Sequence, residues 1–148
     1  MSQPYFDTSL VLKLVIPEPL TPAVQQFLQK RSVSVPYPKL VELELENTLQ
    51  AKVFRKELTR PQLRRCLDFV SDLITRGNLF RPVLSLDEVA VAALELTPKI
   101  TAKTGCRTLD LLHIVSAQNL GYREFVTGDH RQALAARRCG LKVVEISR

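Results

Sequence analysis

"PYFDTSLVLKLV", residues 4–15, places an aspartate between two apolar segments of different character. "PYF" reads as a short strand, and "TSLVLKLV" as an apolar helix ended by Pro17 and Pro19. Asp7 stands at the junction. A carboxylate there can cap the helix by accepting from its free N–H groups. It can also form one wall of a charged site.

Outward from this unit the strand–helix pattern repeats. "TPAVQQFLQKR" carries Thr21 as N-cap and Pro22 at the first helical position, where the missing N–H costs nothing. "SVSVP" alternates like a strand, a long helix runs from about Pro38 to Lys56, and "RPQLRRCLDFVSDLITRG" forms another, closed by Gly77. "LFRPV" is a third strand, and "SLDEVAVAALEL" begins with Ser85 and Glu88 at capping-box spacing. "TLDLLHIVSAQNLG" is a helix stopped by Gly121. "EFVT" is a strand, "DHRQALAARRCG" a helix and "LKVVEI" the last strand. Strands alternating with single or paired helices predict an α/β fold whose parallel sheet is covered on both faces. In such a sheet the ligand crevice lies beyond the carboxyl ends of the strands. Asp7 follows the first strand directly, and Asp129 follows "EFV" through Thr127 and Gly128.

The composition suits one domain spanning residues 1–148, with 45% hydrophobic and 24% charged residues. The run "SLVLKLVI" is too short for a bilayer and is broken by Lys13, so no membrane association is expected. No basic segment followed by an apolar stretch and cleavage site opens the sequence, which predicts a cytoplasmic location. Cys66, Cys106 and Cys139 are scattered and odd in number, as reduced thiols would be. No two Cys or His residues have zinc-ligand spacing. The net charge of +6 favours an acidic partner such as a nucleic acid. Against that basic balance, acids that converge on one spot point to a cation site.

Helical phase identifies which acids converge. At about 100° per residue, Leu40, Val41, Thr48, Ala51 and Leu58 cluster around Glu44, while Glu42 and Glu46 point to the far side. A carboxylate in an apolar stripe is costly unless a cation or strong donors meet it. Asp110 raises the same question, because its face continues through Ile114, Ala117 and Gly121. The plainer alternatives are a first-turn acid for Asp110 and helix caps for Asp7 and Asp129. His113 and His130 each read as a core or surface residue rather than as a ligand.

"YFDTSLVLKL", "ELENTL", "RTLDLLHIVSAQNLG" and "FVTGDHR", in this order across nearly the whole chain, resemble the four signature stretches of the PIN-domain ribonucleases. The resemblance is to the VapC-like toxins of toxin–antitoxin pairs. It implies a three-layer sandwich with a central, mostly parallel sheet flanked by helices. It also implies an acidic quartet, Asp7, Glu44, Asp110 and Asp129, holding one or two Mg²⁺ or Mn²⁺ ions, with Ser9, Asn47 and Thr127 in support. Leu111 and Ser116 depart from the alanines common in the family, at packing positions.

The function implied is metal-dependent hydrolysis of RNA phosphodiesters, leaving a 5′-phosphate and a 3′-hydroxyl. Hard oxygen ligands suit Mg²⁺ and Mn²⁺, which lower the pKa of bound water and neutralise phosphate charge. Four carboxylates repel RNA unless the rim is basic. Lys52, Arg55, Arg107, Arg123 and Arg131 flank the motifs, and Arg107 and Arg131 are the candidate substrate-binding residues. The resemblance further implies a homodimer and a cognate antitoxin as partner. Two alternatives remain open: a module that binds a partner protein, and a phosphatase using Asp7 as nucleophile. The phosphatase motif has a second aspartate two residues on, where this chain has Ser9.

Overall fold

The computed structural model describes residues 3–16 and 21–146. Pro17 and Pro19, read as the stop of the first helix, lie outside them. The chain opens with strand β1 (Pro4–Phe6) and helix α1 (Thr8–Val15), followed by α2 (Thr21–Arg31), β2 (Val35–Pro36) and α3 (Lys39–Phe54). Then come α4 (Arg60–Thr75), β3 (Leu79–Phe80) and α5 (Leu86–Leu96). The last part contains a π-helical turn (Thr97–Thr101), α6 (Ala102–Thr104), α7 (Thr108–Asn119), β4 (Glu124–Thr127), α8 (His130–Arg138) and β5 (Lys142–Glu145).

The protein is mixed α/β, with a three-stranded parallel sheet in the order β1-β4-β5. Tyr5 pairs with Phe125 and Phe125 with Val143. The Asp7 N–H donates to the Val126 carbonyl (3.0 Å), extending the ladder until the acid reaches the strand ends. Strands β2 and β3 form a separate two-residue parallel pair, and β2 lies beside β1. Both were expected to be longer. Pro36 at the end of β2, Pro38 two residues beyond it, and Pro82 after β3 lack the N–H groups a longer ladder needs.

The core forms where the central strands meet the helices. Tyr5 and Phe125 are fully buried and stack with ring centroids 5.7 Å apart. Ile114 and Ala117 of α7 and Leu45 and Leu49 of α3 are likewise buried, so both helices present one apolar face inward. At the opposite end of β4 from the candidate site, Glu124 is buried in an ion pair with Arg31 of α2. The three cysteines are free, and burial, with Cys106 nearby, pushes the Cys139 thiol up to about 11. The connection from β3 to α5 runs over the surface, with Val83 almost fully exposed.

Local chemistry explains most helix ends. Thr59 caps α4 in a reciprocal box with Gln62, and Ser85 accepts from the Glu88 N–H (3.3 Å) at α5. Thr21 is the first residue of α2, and its hydroxyl donates to the Lys13 carbonyl (2.8 Å). Helix α5 ends at Leu96, the last residue of "SLDEVAVAALEL", and the chain then goes on into the π-helical turn. Pro98 has no N–H for the Leu94 carbonyl, and the Thr97 hydroxyl donates to that oxygen instead (2.9 Å). Among the described residues no helix is long and apolar enough to cross a membrane.

Candidate active site

Asp7 and Asp129 are helix caps and more. Asp7 precedes α1 and accepts from the Ser9 N–H (3.3 Å) and Ser9 hydroxyl through Oδ2. Its Oδ1 accepts from the Gln132 side-chain amide (3.3 Å). Asp129 caps α8 by accepting from the Gln132 N–H through Oδ1 (3.1 Å), while Oδ2 lies 3.9 Å from the Arg107 guanidinium. Each aspartate thus spends one oxygen on its helix and sets the other against a side chain, Gln132 for Asp7 and Arg107 for Asp129.

Gln132 links the two caps. It is fully buried, and its Oε1 accepts from the Thr127 hydroxyl (2.7 Å), which leaves Nε2 to face Asp7. Thr127 also accepts from the Asp129 N–H (3.0 Å). Sequence reasoning missed Gln132. The signal was its position three residues after the cap, on the face of α8 that carries Ala133 and Ala136 into the core.

Asp110 is buried in the first turn of α7. Its Oδ2 accepts from the backbone N–H and the Nε of Arg107, both at 3.2 Å. The helical-phase reading of this residue agrees with the structure, since Ile114 and Ala117 on the same face are buried.

Glu44 meets His113, a residue not assigned to the site from sequence. The imidazole is only 1% exposed. Its Nε2 faces both Glu44 Oε2 and Thr8 Oγ1 (3.1 Å), and its Nδ1 lies 3.0 Å from the Tyr5 hydroxyl. Burial and the Asp7 charge push the Tyr5 phenol up, so it stays protonated beside the imidazole. Burial pushes the Glu44 carboxyl up, but the hydrogen bond and charge of His113, with Thr8 and Arg107, outweigh it and leave its pKa lowered.

The remaining candidates divide. Ser9 and Thr127 bond directly to the acidic cluster. Asn47 is exposed, its side chain forms no hydrogen bond among the described residues, and it lines a recess with Glu44, Leu43 and Leu109. Arg107 and Arg131 border an open pocket beside Asp129. His130 is exposed and bonds to Glu145 (3.0 Å), away from the quartet.

The donor set is right in kind for a hard divalent cation, being carboxylate oxygen throughout. It is not gathered tightly: among the described residues no three His, Cys, Asp or Glu side chains are close enough to hold a metal ion. The electrostatic centre is Arg107. Hydrogen bonding to Asp110 and its charge raise the Arg107 pKa, and the charges of Asp129 and Asp7 add to the effect. Compared with known proteins, the chain matches no family model and no curated protein.

Proposed function

We propose that the protein is a metal-dependent endoribonuclease of the PIN-like type, with Asp7, Glu44, Asp110 and Asp129 as its acidic site. The observation that carries this reading is a chain of contacts among the acids: Arg107 bonds to Asp110 (3.2 Å) and lies 3.9 Å from Asp129, and Gln132 joins Asp129 to Asp7. Two of the acids are helix caps that also meet a side chain from elsewhere in the chain, one is buried at a helix start, and the fourth faces a buried imidazole. Helix capping alone accounts for none of the contacts of Glu44.

A bound Mg²⁺ or Mn²⁺ would supply activated water and charge neutralisation at the scissile phosphate. The chain's own part is positional. Gln132 and Ser9 orient Asp7, His113 orients Glu44, and the backbone N–H of Arg107 orients Asp110. Arg131, exposed and without an ion pair among the described residues, is the candidate contact for an RNA phosphate. A cytoplasmic location, a homodimer and a cognate antitoxin belong to the same proposal. An apolar recess walled by Leu14, Leu28, Val33, Phe69 and Leu73 between α2 and α4 supports the partner surface.

The test is cleavage of a mixed RNA pool with Mn²⁺ or Mg²⁺, and again with chelator. Metal-dependent cleavage by the wild type that is lost in Asp7→Asn is the expected result. Asp7→Asn should also lose about 1 kcal/mol of stability, because an amide meets donors on both sides where a carboxylate accepts. Cleavage that survives both chelation and Asp7→Asn would sink the assignment, and a trapped phospho-enzyme would favour the phosphatase alternative.

A further inference from the structure

Among the described residues no three of these carboxylates gather as a metal site, and Arg107 sits between two of them. Arg107 lies where a cation would be drawn. Its Nε donates to Asp110 Oδ2 (3.2 Å), and another guanidinium nitrogen lies 3.9 Å from Asp129 Oδ2. The side chain is 72% exposed, so it reaches across the mouth of the site from the solvent side rather than through the core. Its backbone N–H independently holds the same Asp110 oxygen. One residue therefore makes two separable contacts: a main-chain contact that aims the carboxylate and a side-chain contact that neutralises it.

We propose that Arg107 is the resident counter-cation of the acidic site, exchanged for the divalent ion when metal binds. The proposal rests on the metal-dependent reading above. It is chemically balanced, because an exposed guanidinium can swing away into water at little cost while the acids stay anchored by Gln132, His113 and backbone N–H groups. In the metal-free protein Arg107 offsets the mutual repulsion of carboxylates that no metal has yet joined. Once displaced, the same arginine stands free at the rim beside Arg131, where a phosphate would pass. Metal binding thereby converts an internal ion pair into an available anion contact, which couples metal and RNA binding positively.

The experiment is titration of the full chain with MnCl₂, following free Mn²⁺ by electron paramagnetic resonance. Arg107→Met keeps the length of the side chain and the backbone N–H that aims Asp110, and removes only the guanidinium. Arg64→Met, at an exposed position on α4, removes the same charge elsewhere. Arg107→Met should bind Mn²⁺ roughly two- to fivefold tighter than the wild type, with Arg64→Met unchanged, as loss of a competing exposed ion pair implies. Equal or weaker binding by Arg107→Met would overturn the exchange while leaving the metal site standing. Equal tightening by both variants would overturn it too, as a general charge effect. If the wild type and both variants bind no Mn²⁺, the metal-dependent reading itself falls and the exchange with it.

Discussion

On α3, Glu42 and Glu44 keep 23% and 28% of their side chains in solvent, yet they meet different partners. Glu42 pairs with Arg81 and with Lys39 (3.0 Å); Glu44 meets the buried His113. Helical phase separated the two directions correctly, but exposure alone does not tell them apart. Glu44→Gln should abolish cleavage and sharply weaken Mn²⁺ binding, whereas Glu42→Gln and Glu46→Gln should cleave normally. If Glu44→Gln retains full activity in the RNA assay, the second acid is misassigned. Glu42 also predicts a pH dependence. Burial pushes its carboxyl up, but Arg81 and Lys39 hold it below the ordinary 4.5. A lowered folded pKa gives stability that is complete above the unfolded value and lost as pH falls through the folded one. Glu42→Gln should therefore cost about 0.5–1 kcal/mol near neutrality, and that difference in Tm should shrink as pH falls below the ordinary carboxylate range.

At the scale of elements, α7 ties the site to the sheet. Asp110, His113 and Ser116 lie on it at three-residue spacing, all buried, and His113 reaches β1 through Tyr5, α1 through Thr8 and α3 through Glu44. His113→Leu should lose about 2–4 kcal/mol in urea denaturation, because it removes the buried imidazole that bonds to Tyr5, Thr8 and Glu44 together. His113→Gln, which can still present an N–H to Glu44, should lose distinctly less. An equal loss in both variants would mean that packing, not the hydrogen bonds, is what His113 supplies. This hub was not legible beforehand, since a lone histidine on an apolar helix face gives no sign of what faces it. Helix starts were legible. Pro61 after Thr59, Ser85 before "LDE" and Asp129 before "HRQ" carry their caps in the local sequence. The coil through Pro98 was not, because a threonine hydroxyl replaced the hydrogen bond whose absence normally ends a helix.

Across the whole molecule, the same division holds between local and distant signals. The alternation of strands and helices was readable, and the parallel pairing of β1 with β4 and of β4 with β5 agrees with it. The lengths of β2 and β3 were overestimated, because prolines at their ends bear on a ladder whose partner strand the sequence does not specify. Gln132 was missed for a related reason: it bonds to Asp7, 125 positions away. That separation has a practical meaning. Asp7 and Glu44 precede the exposed β3–α5 connection, and Asp110 and Asp129 follow it, so each half of the chain owns two acids of the quartet. A backbone cut beside Val83 should yield two pieces that are inert apart and cleave RNA only when β1 re-pairs with β4. Co-expressed and tethered to two proteins of interest, they would act as a complementation sensor, reporting proximity as RNA cleavage. A piece that cleaved RNA alone would show that the four-acid site had been drawn too wide.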